Sequence, residues 1–193
     1  MVRTLNTLLQ LLWPHDDTLV VGHNISQSAT YKNTSYLFSY KDPSIQSLVK
    51  RTKYQADAQA AKQLAHHLDT YLSTIEGECA IIPMPVSYQR WRERGYNHIE
   101  LICRQSKYAS QMRMDILTKT SHTTQQTQVT RQERVQQQRG TFGCNPAGFH
   151  NFPCTVILLD DVTTTGATMS AARTTIQPYL PPHTKLICLA LAH

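Results

Sequence analysis

The sequence holds no run of about 18 apolar residues, so it offers no membrane-spanning helix. Its five cysteines are odd in number and no two are spaced C-x-x-C. That argues against both a disulfide framework and a zinc module, and no structural zinc is expected. Glycine is scarce, with seven in the chain, and none is followed by lysine. The nucleotide loop G-x-x-x-x-G-K-[ST] is therefore absent. The opening segment "MVRTLNTLLQLLWPHDD" is interrupted by Asn6 and Gln10 and lacks a small-residue cleavage site, unlike a secretory signal. These absences predict a cytoplasmic protein. A chain of 193 residues is long enough to bury a core without disulfide or metal staples.

What is present is unevenly distributed. The net charge is +6, and residues 86–140 carry ten Lys/Arg against four Asp/Glu, while the rest of the chain has nine of each sign. One segment thus carries the whole excess and suggests an anionic partner, either phosphates on a small molecule or a nucleic-acid backbone. A plain solvated face is the alternative. Tyr88, Trp91, Tyr96 and Tyr108 are interleaved with these cations. That pattern predicts weak binding to single-stranded DNA, with Arg131 and Arg139 as contacts.

Apolar periodicity predicts an α/β protein. Residues 3–13 read as a short helix ending before Pro14. "TLVVGH" and "TSYLFSY" read as strands, and the polar "NISQSATYKN" between them as a turn region. Ala61, Leu64, Ala65, Leu68 and Leu72 share one helical face. "CAIIPMP" reads as a buried strand, "NHIELICRQSKYAS" as a helix capped by Asn97, and "MDILTK" as a short strand. "TVILLD" and "KLICLALA" are further buried strands, separated by a helix with Met169, Ala172 and Ile176 as its stripe. Three apolar runs with helices between them indicate a mostly parallel sheet. Residues 118–139 hold seven glutamines and little that could enter a core. A long polar stretch of this kind predicts a loop that closes over a site, or else an inert linker.

The most informative stretch is "VILLDDVTTTGATMSAA", residues 156–172. In an open α/β sheet, ligands sit beyond the carboxyl ends of the strands. There Asp160 and Asp161 could hold a metal ion or a pair of vicinal hydroxyls. The turn that follows enters a helix, whose unpaired N–H groups and positive dipole favour an anion. Gly166 lets the backbone approach that anion closely, and Thr164, Thr165 and Thr168 add hydroxyl donors. Acids for a diol beside a loop for a phosphate describe a ribose 5-phosphate. The plainer reading is that Asp161 caps a helix and the threonines fill a turn.

"VILLDDVTTTGAT" closely resembles the PRPP-binding signature of type I phosphoribosyltransferases. "IIPMPVSYQRWRERGYNHIELICR", "QTQVTRQERVQQQRGTF" and "LVKRTKYQADAQAAKQLAHHL" resemble segments of the ComF family, associated with natural competence and DNA uptake. The resemblance spans roughly residues 36–192. It implies a type I phosphoribosyltransferase fold over 46–193 with an N-terminal appendage at 1–45. It also implies that Asp160 and Asp161, the expected catalytic residues, hold the ribose hydroxyls of PRPP. Thr164, Thr165, Gly166, Ala167 and Thr168 would cradle its 5-phosphate. The turn Pro83-Met84-Pro85-Val86 would form the pyrophosphate side together with Arg94, whose forked guanidinium suits phosphate oxygens. An X-Pro pair at a strand end can hold such a tight turn, in cis or in trans. Gln126 and Arg134 would belong to a lid.

The chain departs from the family pattern in lacking the four-cysteine zinc module, in Gln128-Val129-Thr130 near the usual Leu-Ser, in Gln137 for Asn, and in His98 for Gln. If the protein is an enzyme, it displaces pyrophosphate from PRPP with Mg²⁺ present, and His98 and His122 are candidate bases by position alone. The other readings are a binding module of the DNA-uptake machinery, working with competence proteins, and a nucleobase-salvage enzyme. The acceptor and the oligomeric state stay open, a homodimer being one option.

Overall fold

The computed structural model describes residues 28–120, 141–150 and 152–193. The helix expected at 3–13, the strand "TLVVGH" and nearly all of the glutamine-rich stretch lie outside them.

The first described element was expected to be turn. Ala29–Tyr31 instead forms strand β1, antiparallel to β2 (Thr34–Phe38). Lys32 and Asn33 join the two with φ of 46° and 61°. Two consecutive left-handed residues make the tight turn that matches strand twist, and asparagine accepts that conformation readily. Strand β1 is exposed along most of its length, so it lacks the apolar alternation by which strands are recognised.

Two helices follow, α1 (Pro43–Gln55) and α2 (Ala58–Leu72), each capped by an aspartate. Asp42 accepts from Ser44 N ahead of Pro43 in the first turn, and Asp57 accepts from Gln59 N and Ala60 N. Side-chain acceptors at these positions satisfy N–H groups that the helix itself leaves unpaired. The chain reverses between the helices at Ala56, whose φ is 52°. The buried face of α2 includes the five residues that the periodicity singled out.

Strand β3 (Cys79–Pro83) is wholly buried and leads to α3 (Tyr88–Arg94) and α4 (His98–Gln105). Asn97 caps α4 as expected, accepting from Ile99 N at 2.9 Å. After β4 (Leu117–Lys119) and β5 (Phe142–Cys144), the chain forms β6 (Thr155–Val162), α5 (Ala167–Ile176) and β7 (Lys185–Ala192).

The central sheet has the order β1-β2-β7-β6-β3, and every pairing except β1–β2 is parallel. Pro83 can close β3 because that strand is at the sheet edge, where a missing N–H costs least. Residues 29–38 fall within the 1–45 expected as an appendage. They are part of this sheet, with β2 paired directly to β7.

One sheet face packs Ile81, Ile157, Leu159, Leu189 and Leu191 against α1, α2 and α4. The other packs Ile82, Val156, Leu158 and Cys188 against α5 and the small β4–β5 sheet. The result is a mixed α/β fold with a mostly parallel sheet flanked by helices. No helix among the described residues is long and apolar enough to cross a membrane.

Candidate functional site

The two acids lie within the last three residues of β6 rather than beyond it. Alternation along the strand sends Val156 and Leu158 toward α5, and Ile157 and Leu159 toward α1, α2 and α4. Asp160 and Asp161 therefore set out toward opposite faces.

Asp161 is 5 % exposed and fully engaged. Lys53 Nζ donates to its Oδ2 at 2.7 Å, and His98 Nε2 does so at 3.0 Å. Its Oδ1 accepts from Val162 N. Burial alone would push this carboxyl up. The hydrogen bond and charge of His98, with those of Lys53, outweigh burial and hold it well below the usual carboxylate range. Asp161 does not cap the following helix; Gly166 stands at that position, with φ of 72°.

Asp160 is half-buried, and its Oδ1 accepts from Asp161 N. Burial, reinforced by the negative charge of Asp161, pushes its carboxyl up to about 7. Asp160 borders a cavity of about 40 Å³ that is otherwise lined by Val162 to Met169. That is room for a few water-sized atoms. Thr164, Thr165, Gly166, Ala167 and Thr168 all line it, so all five expected phosphate residues come together with Asp160. Thr164, Thr165 and Thr168 are exposed. The N–H groups of Thr164, Thr165, Gly166 and Thr168 make no hydrogen bond to any described residue. They sit at the N-terminus of α5, where the helix dipole is positive.

The segment expected on the pyrophosphate side lies beside this strand end. Met84 N donates to Leu159 O at 2.8 Å, extending the β3–β6 pairing to the residue before Asp160. Met84 is buried and its carbonyl accepts from Asn97 Nδ2; Pro85 and Val86 are half-buried. All peptide bonds among the described residues are trans, so this turn is made without a cis proline. Arg94 ends α3 with its guanidinium 5.0 Å from the Tyr54 ring centroid. One of its nitrogens, Nη1, is buried without a hydrogen bond to any described residue.

Two sequence segments singled out separately thus meet in space. Lys53 and Tyr54 of "KRTKY" face His98 (through Asp161) and Arg94 of "RERGYNH". Tyr96 fastens the two together: its hydroxyl donates to Thr52 O at 3.0 Å and accepts from Ala56 N at 2.9 Å. Lys53 was not read as a site residue, although a signal existed. It follows Ile45 and Val49 at four-residue spacing, so a lysine continues the apolar stripe of α1. His98 likewise shares the buried face of α4 with Ile102.

The basic segment divides. Arg104 pairs with Glu100 and Arg113 with Asp115, which neutralises both locally. Arg90 and Arg92 lie on α3 with Tyr88 and Trp91, which are 62 % and 53 % exposed. Lys119 is half-buried; burial, with the charge of Arg90, lowers its pKa, and Asp160 opposes that shift. Gln126, Arg134, Arg131, Arg139 and His122 lie outside the described residues. No group of three or more His, Cys, Asp or Glu that could hold a metal occurs among the described residues.

No family model and no curated protein matches the chain.

Proposed function

We propose that the end of β6 and the start of α5 bind the ribose 5-phosphate part of PRPP, as in a ComF-type protein with a type I phosphoribosyltransferase fold. The observation that carries this reading is the small cavity bordered by Asp160 and lined by Thr164 to Thr168, with four N–H groups left without a described partner. In this reading those N–H groups and the threonine hydroxyls bind the phosphate, and Asp160 accepts from a ribose hydroxyl. Asp161 acts one step back. Its bonds to Lys53 and His98 fix the strand end on which Asp160 is carried. Met84 to Val86 and Arg94 lie on the side where pyrophosphate would leave.

Mg²⁺ fits such a site only as a companion of the ligand. With no described cluster of protein ligands, it would be held chiefly by phosphate oxygens and water, with Asp160 the nearest acid. When bound, it supplies neutralisation of the leaving pyrophosphate. The chain's own share would be to position the ribose and its phosphate.

The binding test is calorimetry with PRPP and Mg²⁺ on the wild-type protein, Asp160→Asn and a Thr164→Ala/Thr168→Ala double variant. Weakened binding in both variants is expected; unchanged affinity in both ends the proposal. Pyrophosphate release in the presence of nucleobases then separates a transferase from a binding module.

A second reading has its own observation, the exposed Tyr88 and Trp91 beside Arg90 and Arg92 on α3. Arginines that neutralise phosphates and rings that stack on bases suit single-stranded DNA. That would fit a role in DNA uptake beside competence proteins. Anisotropy with a labelled oligonucleotide should show affinity that falls with salt, and Trp91→Ala should weaken it. An affinity insensitive to both would remove this reading.

A further inference from the structure

On the same sheet face as α5, but on the side of the β1–β2 hairpin, lies a second and larger cavity. Its volume is about 260 Å³, below the roughly 300–1,000 Å³ of sites for drug-sized ligands, so its occupant would be small. Lys32, Asn33 and Thr34 of the hairpin form one wall, and Ser170, Arg173 and Thr174 of α5 form the other.

The charge of this cavity is one-sided. Lys32 and Arg173 both line it, and no acid among the described residues does. The Arg173 side chain makes no hydrogen bond or ion pair with any described residue. Two cations bordering one half-open cavity repel each other, and a bound anion removes that cost.

The polar groups point the same way. Thr34, 1 % exposed, borders the cavity from the hairpin side. Ser170 Oγ is without a described partner, whereas Thr174 already donates to Ser170 O. The floor is Met169 and Cys188, which are apolar and buried. The site thus has cations and hydroxyl donors on two opposed walls above a dry base.

We propose that this cavity is a second oxyanion site, separate from the Thr164–Thr168 loop, and that it takes a small phosphate-bearing ligand. Phosphate fits better than a carboxylate. Its oxygens diverge in four directions and can meet donors on both walls at once, whereas a planar carboxylate reaches mainly one. The cavity also touches the first site. Lys32 Nζ donates to Thr165 O at 3.3 Å, so one of its three donors is spent on the loop. For that reason Arg173 and Asn33, which do not contact the loop, are the residues to vary.

The test is an NMR titration of the full chain with inorganic phosphate, with acetate run in parallel. Saturable shifts are expected at the amides of Asn33, Ser170 and Arg173. Arg173→Gln should weaken binding there at least tenfold while shifts at Thr164, Thr165 and Thr168 are retained. Asn33→Asp places a carboxylate at an exposed hairpin position and should have the same effect if Arg173→Gln does not fold. Failure of the PRPP reading would show at the Thr164–Thr168 amides and leave this result unaffected. Absence of saturable shifts at the cavity, equal binding in the variants, or acetate binding as tightly as phosphate would each overturn the proposal.

Discussion

Asp160 and Asp161 are joined by one peptide bond and have different surroundings. Asp161 meets Lys53 and His98 on the side of α1 and α4, and all but 5 % of it is hidden from solvent. Asp160 borders a small cavity with the threonine-rich turn, and burial pushes its carboxyl up to about 7. A paired, buried carboxylate contributes to the rigidity of a strand end. One with no ion pair to a described residue, held above its ordinary range, is kept at an energetic cost, and such groups cluster at functional sites. The comparison teaches that a run of two identical residues need not be one functional unit.

The largest effect expected from breaking this contrast is on the Asp161 side. Asp161→Ala leaves Lys53 and the buried His98 without their shared partner. Removing one member of a buried ionic network costs about 3–5 kcal/mol, and the lower end applies here because Lys53 is still 20 % exposed. Urea unfolding measures it. A loss near that of a surface substitution would show that the network is not structural.

Asp160 should behave in the opposite sense. A carboxyl whose folded pKa lies above its unfolded value binds an extra proton in the native state, so stability falls as pH rises from about 4 to about 7. Asp161, with a depressed folded pKa, contributes stability that is present above about 4 and lost on further acidification. Asp160→Asn should therefore flatten the fall between pH 4 and 7 and raise stability at pH 7. Melting curves across that range check it, and an unchanged slope would move the titration elsewhere.

A smaller effect is expected at Gly166. A Cβ placed there would meet only the Lys32 side chain, Cβ at 3.5 Å and Cδ at 3.9 Å, both ordinary contacts, so space for the Cβ is not the obstacle. The obstacle is the φ of 72°, which costs a residue with a Cβ about 1–2 kcal/mol. Gly166→Val should lower stability by that amount and disturb the Thr164–Thr168 cradle while leaving the Asp161 network intact. Denaturation and PRPP titration on the same variant would separate the two outcomes.

The smallest change sharpens the comparison from a distance. Tyr96→Phe removes the hydroxyl that bridges Thr52 O and Ala56 N, at a cost of about 1–2 kcal/mol at most. It should loosen the wall that carries Lys53 and His98 without altering Asp160. Amide exchange would show faster opening around 52–56 and 97–99, with little change near 164–168.

Much of this arrangement was legible in the chain. The strands over 79–83, 155–162 and 185–192, the Asn97 cap and the buried stripes of α2 and α5 follow from apolar period and capping chemistry, which act over a few residues. The gathering of Asp160 with Thr164 to Thr168 was legible for the same reason, since a strand end, a turn and a helix start are adjacent in sequence. Strand β1 was not legible, because its pairing rests on backbone bonds to β2 and not on an apolar pattern. Nor was the membership of residues 29–38 in the main sheet, which depends on β7, about 150 residues further along.

The sequence by itself determined the class of fold, the position of the threonine-rich turn at the end of a buried strand, and the placement of the positive charge. Tertiary structure alone decided which of two adjacent acids is paired. That choice needs Lys53 from one helix and His98 from another to reach the same carboxylate, across 108 and 63 residues of chain. Local propensity cannot encode such a meeting, because it exists only once α1 and α4 have packed on one face of the sheet.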